Sequence, residues 1–505
     1  MLQGGPGASS VNLENSMTEL YMRLNGTTSV YTMDHRGTGR SALLKCEAAE
    51  AFSAGSPGGA EVDMREVANC VKDVLYQIEG QTAAFSVTSA AKDIEFLVNG
   101  LNQDEDVFVY GASYGTYLTE RLMHLAPSIV KGYILDGVLA EEKGNFAHFG
   151  SIREEPAQYF GQLCDQDKVC RSKYGSDVPV DQAMYDAWFE TYETLDAAAI
   201  GDNACADLLT TREDIMPSWV LGTYFSTLFS IGDVSKRAGI PAVLQMVRRC
   251  NDADVVTLRA LTAAQGMTLF DVLTQAGPLQ PFDEVNGISF LLMHLIKHSE
   301  LWLYPTPKWE VETALVEQSV FGTFYTVDYA WHCVLSGNAS DPSCPALLEL
   351  GQQRTVPVNY SSVELTKFSY ERDEYFGKTA AIPKDTSVMV MSGKLDFQTV
   401  HSWAVDQYEK MQGDNKLLVE FEYGPHCSGI APSTAGDTTG CGVRIIASFV
   451  KQMGDIDLTD LSCLDELPAI NFDVDEDLKQ YIASLQTGPQ GKHKQLKKKH
   501  HVKSA

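Results

Sequence analysis

The stretch Val107-Phe108-Val109-Tyr110-Gly111-Ala112-Ser113-Tyr114-Gly115 predicts a β-strand, a sharp turn and the start of a helix. The first four residues favour a buried strand, and an apolar helical run follows the last one. Gly111 and Gly115 are small enough for a tight turn that presents the Ser113 hydroxyl in a cleft. In this setting G-x-S-x-G is typical of a nucleophilic serine, whereas an incidental glycine-rich turn is the alternative for the pentapeptide alone.

A serine nucleophile needs a base and an acid that orients the base. Asp396 follows a predicted buried strand at 387–392, and His426 follows another at 417–421. Loops at the carboxyl ends of strands carry the chemistry in open α/β sheets. The order Ser…Asp…His is that of α/β-hydrolases. We therefore predict that His426 takes the Ser113 proton and that Asp396 orients the imidazole.

Two other side chains compete for these roles. Asp136 lies in a predicted strand at 132–138, and some hydrolases take their acid from the corresponding strand. His401 closely follows Asp396, but it begins a predicted helix instead of following a strand. We prefer Asp396 as the acid and His426 as the base.

A glycine-rich turn at residues 2–10 predicts an oxyanion hole. Its bare backbone N–H groups can approach a negatively charged oxygen closely. We expect the N–H of Gly4 or Gly5 and the N–H of Tyr114 to share this role, because Tyr114 directly follows the serine. The turn does not match a phosphate-binding loop, which requires a lysine after its last glycine.

Four motifs in this order resemble the prolyl and tripeptidyl aminopeptidase family of α/β-hydrolases. They are G-G-P-G at 4–7, D-x-R-G-x-G-x-S at 34–41, G-x-S-x-G at 111–115, and the later Asp and His. The resemblance covers residues 1–463. It implies a serine exopeptidase, secreted or in a hydrolytic compartment, that removes short pieces from free peptide N-termini.

The resemblance also implies individual roles. Ser113 is the nucleophile, Asp396 the acid and His426 the base, with oxyanion donors at Tyr114 and at Gly4 or Gly5. The loops around the site are braced by three residues: Asp34, Arg36 and Gly37. This chemistry needs no metal and no organic cofactor.

The sequence begins almost on the oxyanion turn, where an α/β-hydrolase has earlier strands. The strand that enters the turn should lie between a predicted strand at 29–33 and the one at 107–110. The segment 1–3 is too short to fill that position, and each unpaired buried backbone group costs about 1–3 kcal/mol. We therefore expect a longer protein, in which the first strands and a secretion signal precede this sequence.

The fold expected is an α/β-hydrolase with a large helical cap inserted before the acid strand. The predicted domains are the first part of the core, the cap, the second part of the core, and an acidic then Lys/His-rich tail that we expect to be disordered. Their boundaries are 1–139, 140–379, 380–465 and 466–505.

Composition agrees with an exported hydrolase, for which the resemblance implies peptide substrates. The 505 residues are 44% hydrophobic, enough for a large core. The net charge of −28 argues against nucleic acid as a partner, because its phosphates would be repelled. No apolar run is long enough for stable membrane insertion. Nothing in the sequence indicates an oligomeric state.

The 11 cysteines favour disulfides over a metal site, because no C-x-x-C occurs. Sequence cannot determine connectivity, and scattered free thiols are the alternative. Pairing of sequence neighbours leaves Cys463 over, and three N-x-[ST] sequons, at Asn25, Asn338 and Asn359, fit a secretory route. The expected bridges are Cys46–Cys70, Cys164–Cys170, Cys205–Cys250, Cys333–Cys344 and Cys427–Cys441.

An aminopeptidase must recognise a free ammonium group, which requires a carboxylate near Ser113. Glu300 is our candidate because it adjoins an aromatic cluster, although a solvated charge at a helix end is the simpler interpretation. Two other functions stay open. One is an esterase or lipase-like hydrolase on the same triad, and the other is an inactive homologue that lacks the N-terminal strands.

Overall fold

A computed structural model describes most of the chain. The described residues are 1–46, 66–101, 105–174, 183–210, 216–230, 234–264, 288–321, 326–338, 341, 343–344, 364–434, 436–437 and 440–474. Most of the tail predicted to be disordered, the Asn359 sequon and part of the Asn338 sequon lie outside these residues. Within them, no helix is both long and apolar enough to span a membrane.

A parallel four-stranded sheet organises the part of the chain that carries the predicted site. Its strands are β1 (Val107–Ala112), β2 (Val130–Asp136), β3 (Ser387–Gly393) and β4 (Lys416–Phe421). They lie side by side in chain order, and every pair is parallel. The sheet confirms the predicted strands on which Ser113, Asp396 and His426 were placed, and the chain has a mixed α/β architecture. The α/β-hydrolase fold itself stays a prediction.

Both faces of the sheet are covered by apolar side chains. Successive residues of a strand point to opposite faces. Accordingly, Val388 and Val390 of β3 belong to one buried cluster, and Met389 and Met391 belong to another. This two-sided burial explains why the strands read as near-continuous apolar runs.

Helices supply the cover on each face. On the Val390 face they are Val87–Leu101, Tyr114–Leu125, Phe290–Glu300 and His401–Lys410. On the Met391 face they are Glu14–Arg23 and Cys441–Lys451. Two further helices, Val67–Gln77 and Thr326–Leu335, also bury residues in the cluster on the Val390 face, and the same compact unit contains the helix Trp309–Glu317.

The N-terminal residues lie beside β1, as the motif order predicts. The Leu2 N–H donates to the Tyr110 carbonyl at 2.7 Å, and the Ala112 N–H donates to the Leu2 carbonyl at 3.1 Å. On the other side, the Met1 amino group donates to the Tyr31 carbonyl at 2.7 Å. The prediction of a strand at 29–33 is wrong, because this short neighbouring segment provides too few backbone partners to form a ladder. The expectation of preceding strands stays a prediction.

The chain divides into two compact units whose boundaries differ from the predicted domains. The first unit comprises 1–157 and 276–469, and the second comprises 158–275 and 470–505. Much of the predicted cap, including the helix Phe290–Glu300, therefore belongs to the same unit as the sheet. The reason is that this helix buries its apolar residues in the cluster that also covers β1, β2 and β3.

The second unit is helical in its described part, as the periodicity of the sequence predicts. Trp188 contacts Phe225, and Phe160 contacts Phe229, with ring centres 5.5 and 5.1 Å apart. Part of the predicted helical cap, including residues 265–275, lies outside the described residues. The helices are Glu154–Gln166 (shared with the first unit), Lys168–Arg171, Ala183–Ala197, Ala204–Leu209, Pro217–Ser230, Ile240–Arg249 and Asp252–Ala264.

Four of the five expected disulfides are confirmed, and one is wrong. The confirmed bridges are Cys46–Cys70, Cys164–Cys170, Cys205–Cys250 and Cys333–Cys344. Cys441 pairs with Cys463 instead of Cys427. Cys441 begins a helix on which the turn Ser462–Glu466 packs, so its partner in space lies later in the chain. Cys427 is a buried free thiol.

This pairing predicts that alkylation of the denatured, unreduced protein labels one cysteine only. Ten of the 11 cysteines are in bridges, so the label should lie on the peptide that contains Cys427. Peptide mapping by mass spectrometry checks this, with a reduced sample as the control that labels all 11 cysteines. A label on Cys463 would restore the pairing first expected from sequence.

Candidate active site

Ser113 lies in a backbone conformation that few non-glycine residues adopt. It connects β1 to the helix Tyr114–Leu125 with φ 57° and ψ −125°. The flanking glycines make this turn possible. A β-carbon on Gly115 would lie 2.5 Å from the Leu2 carbonyl oxygen, and one on Gly111 would collide with the Gly115 carbonyl. Backbone strain of this kind is concentrated at functional sites. The turn has the geometry that G-x-S-x-G predicts for a nucleophile.

His426 and Asp396 form a hydrogen-bonded pair. The Nδ1 atom of His426 lies 2.9 and 3.0 Å from the two Asp396 carboxylate oxygens. Since a carboxylate only accepts, Nδ1 carries the donated proton, and Nε2 is the ring nitrogen left to accept one. The two loops that hold these residues follow β4 and β3, as predicted.

Asp396 is completely buried, and its other neighbours hold the carboxylate in place. One oxygen accepts the amides of Gln398 and Thr399 at 2.8 and 2.9 Å, and the other accepts the Thr399 hydroxyl at 2.9 Å. The Thr399 hydroxyl also lies 3.2 Å from His426 Nδ1. Our sequence analysis missed Thr399. Its position three residues after the predicted acid was the available signal.

The environment of His426 favours the protonated imidazole. Burial opposes protonation, but the adjacent Asp396 carboxylate outweighs it, so the pKa of His426 lies well above its usual value. The His426 side chain is 18% exposed, so it can be reached from solvent. This arrangement stabilises the imidazolium that forms when the histidine takes a proton.

The turn at Ser113 and the loop of His426 both contact the end of β2. The Asp136 carbonyl accepts the Ser113 amide at 2.9 Å and the Cys427 thiol at 3.6 Å. A β-carbon on Gly137 would lie 3.2 Å from His426 Cε1. Among the described residues, no hydrogen bond links the Ser113 hydroxyl to His426. Catalytic hydrogen bonds are often long before substrate binds, so the pairing itself stays a prediction.

The glycine turn packs directly against the serine. A β-carbon on Gly4 would lie 2.7 Å from Ser113 Cβ and 2.9 Å from the Ala112 carbonyl oxygen. Tyr114 is the first residue of its helix, and first-turn amides have no acceptor within a helix. Gly5 has φ 123°, which a residue with a side chain would adopt only under strain. The predicted oxyanion donors therefore come from two adjacent backbone segments.

Asp34 braces the glycine turn, as the resemblance implies. Its carboxylate accepts the Ser9 hydroxyl at 3.0 Å and the Ser10 amide at 2.6 Å on one side, and the Arg40 amide at 2.8 Å on the other. Arg36 binds Asp93 through two nitrogens, at 2.7 and 2.5 Å. The Gly37 amide donates to the Ala42 carbonyl at 2.8 Å, within its own loop.

The competing acid and base have other partners. His401 lies 3.0 Å from a Glu420 carboxylate oxygen and 3.1 Å from the Ser392 hydroxyl. The Asp136 carboxylate accepts the Tyr110 hydroxyl and a backbone amide. Within the described residues, neither Asp136 nor His401 forms a hydrogen bond with His426. The geometry therefore favours Asp396 and His426 as the acid and base.

Glu300 is buried in an ion pair. Arg121 donates to it at 2.8 Å, and the hydroxyls of Tyr117 and Tyr370 donate at 3.2 and 2.7 Å. The Glu300 side chain is 2% exposed, which corrects the simpler interpretation of a solvated charge. Its two oxygens already have three donors, so this geometry does not favour the predicted role in binding a substrate ammonium.

Comparison with known proteins adds no family assignment: neither a scan against protein-family models nor a search of curated proteins found a match to this chain. Within the described residues, no group of three or more His, Cys, Asp and Glu side chains is arranged to hold a metal ion. The interpretation of the site therefore depends on its own geometry and on the sequence motifs.

We predict that Asp396→Asn lowers kcat/KM by about 10⁴-fold, because the amide cannot hold the required imidazole tautomer. Asp136→Asn should cost at least about a hundred times less, because Asp136 does not contact the ring. The base must be neutral, so the wild-type rate should fall as pH decreases through the raised pKa of His426. Loss of the Asp396 charge should move the acidic limb of the pH–rate profile to lower pH. A larger loss in Asp136→Asn, measured by pH-dependent kinetics, would reverse the assignment.

Glu300→Gln should lower the free energy of unfolding by about 3–5 kcal/mol, because it leaves the buried Arg121 charge without its closest partner. Denaturant titration measures this change. The control is Glu310→Gln on an exposed helix position, where about 0.5 kcal/mol or less is expected. Unchanged stability with a raised KM for free-amino substrates alone would instead support the ammonium-binding role.

Proposed function

We propose that this protein is a serine hydrolase, and specifically an aminopeptidase that cleaves short peptides from a free N-terminus. One observation carries the proposal. Ser113 occupies a strained strand-to-helix turn, and the hydrogen-bonded pair of His426 and Asp396 is held on the loops of neighbouring strands. A nucleophile, a base and an orienting acid in this arrangement support acyl transfer.

The proposed reaction proceeds in two steps. The Ser113 Oγ attacks the scissile carbonyl carbon while His426 Nε2 takes the hydroxyl proton. His426 then gives that proton to the leaving amine as the carbon–nitrogen bond breaks, which leaves an acyl-enzyme. Water then attacks the ester carbon while His426 takes its proton, and His426 returns that proton to Ser113 as the ester bond breaks and the acid is released. Asp396 orients the imidazole and stabilises the imidazolium in both steps.

Negative charge on the carbonyl oxygen is stabilised by backbone donors in this proposal. The Tyr114 N–H and the N–H of Gly4 or Gly5 belong to segments that pack against Ser113. The positive end of the helix Tyr114–Leu125 adds to this field. Removal of one such donor in other serine hydrolases costs about 10²–10³-fold in kcat.

Support for an exopeptidase, as opposed to a general esterase, comes from the four motifs in family order. In the structure the first three of these motifs are neighbours: Gly4 packs on Ser113, and Asp34 holds the same glycine turn. The proposal does not assign the substrate ammonium to Glu300, whose oxygens already accept three bonds.

The disulfides support the proposed compartment. Five disulfides in the described residues fit a secreted or lumenal protein, because cytosolic thiols are kept reduced. We propose secretion or residence in a compartment of the lysosome or vacuole type.

The test is hydrolysis of one fluorogenic tripeptide amide with a free and with an acetylated N-terminus. We expect cleavage of the free form only, and its loss in Ser113→Ala with an unchanged melting temperature. Equal cleavage of both forms, together with turnover of short-chain esters, would favour the esterase. Absence of cleavage of either form and of any reaction of Ser113 with a fluorophosphonate would favour an inactive homologue.

A further inference from the structure

Asp136 lies at the edge of the sheet where the loops that carry the predicted triad begin. It ends β2, the strand between β1 and β3, and the register places it opposite Ala112 on one side and Met391 on the other. Ala112 directly precedes the nucleophile. β3 leads into the loop that carries Asp396. Asp136 is therefore the residue of the middle strand closest to both halves of the site.

The main chain of Asp136 contacts both reactive loops. Its carbonyl oxygen accepts the Ser113 amide at 2.9 Å and the Cys427 thiol at 3.6 Å. Cys427 directly follows the predicted base. The next residue, Gly137, has φ 66°, and a β-carbon there would lie 3.1 Å from the Cys427 sulfur. The turn after β2 is therefore packed tightly against the histidine loop.

The side chain of Asp136 also links the nucleophile strand to the histidine loop. One carboxylate oxygen accepts the Tyr110 hydroxyl at 2.6 Å and the Gly429 amide at 3.0 Å. Tyr110 lies three residues before Ser113, and Gly429 lies three residues after His426. A β-carbon on Gly429 would lie 2.6 Å from the same oxygen, so the loop approaches as closely as its backbone allows.

From these contacts we propose that Asp136 is a positioning residue, which holds the His426 loop in register with the nucleophile strand. The inference rests on the proposed serine hydrolase function. It gives Asp136 a role distinct from that of the triad acid, because His426 Nδ1 bonds to Asp396. A misplacement of about 1 Å between reacting groups costs about 10²-fold in rate, so a brace at this point matters for catalysis.

The proposed role requires an Asp136 oxygen placed to accept both hydrogen bonds, and it does not require a negative charge on Asp136. Asp136 is fully buried, and no lysine or arginine in the described part of the chain forms an ion pair with it. Its second oxygen has no partner among the described residues. Burial raises the pKa of Asp136 to about 7. The hydrogen bonds from Tyr110 and Gly429 act in the opposite direction, but burial has the larger effect. An asparagine keeps one oxygen able to accept both bonds, whereas an alanine keeps none.

The experiment compares wild type with Asp136→Asn, Asp136→Ala and Tyr110→Phe. Each protein is titrated with a fluorophosphonate, which gives the number of reactive sites and the rate of labelling, and then assayed on the free tripeptide amide. We expect Asp136→Ala to lose about 10²-fold in labelling rate and in kcat per titrated site, with little change in KM. Asp136→Asn should recover most of this loss.

The matched variant Tyr110→Phe removes one donor and leaves the Asp136 side chain in place. It should lower kcat several-fold without changing KM, and it keeps the test available if Asp136→Ala does not fold. Two results would overturn the positioning role. One is a lower melting temperature with unchanged kcat per titrated site, in whichever of Asp136→Ala and Tyr110→Phe folds. The other is an equal loss in Asp136→Asn and Asp136→Ala, which would show that charge is required.

The labelling rate separates this proposal from the proposed function. If wild type reacts with the fluorophosphonate but does not cleave the peptide, the aminopeptidase proposal fails, and the order of labelling rates among the variants still decides the role of Asp136. If Ser113 of the wild type does not react at all, the positioning role is overturned as well, since there is no active nucleophile to position.

Discussion

The parallel pairing of β1, β2 and β3 is the constraint on which the site depends. Its register aligns Ala112, Asp136 and Met391, so the loops that follow these strands begin at the same edge of the sheet. Ser113 and Asp396 are far apart in the chain, yet both follow this edge. Because parallel strands all end at one edge, groups that the intervening helices separate in sequence return to one location.

Three buried carboxyl groups around the sheet are accommodated in three ways. Asp396 accepts hydrogen bonds from backbone amides, a hydroxyl and the imidazole. Glu300 pairs with Arg121. Asp136 forms no ion pair with a lysine or arginine in the described part of the chain, and burial raises its pKa to about 7. Since a buried charge is costly without a partner, these environments distinguish an orienting acid, a structural ion pair and a brace that acts through accepted hydrogen bonds.

Local sequence rules predicted the elements that depend on neighbouring residues. The four strands, the turn at Ser113 and the loops of Asp396 and His426 follow from apolar runs and glycine spacing. The same rules failed at 29–33, where a strand needs a partner that chain neighbours do not provide. They also failed at Cys427, because disulfide partners are chosen by distance in space: Cys441 and Cys463 have Cα atoms 5.6 Å apart.

By itself, the sequence determined the order and spacing of the chemical groups. A serine has a glycine two residues away on each side, an acid follows one strand, and a histidine follows the next strand. Only the tertiary structure decided which partners these groups meet. It paired His426 with Asp396, enclosed Glu300 with Arg121, and placed Asp136 between the two reactive loops. The physical reason is that strand propensity and turn geometry are local, whereas burial and hydrogen bonding depend on segments that only the folded sheet brings into contact.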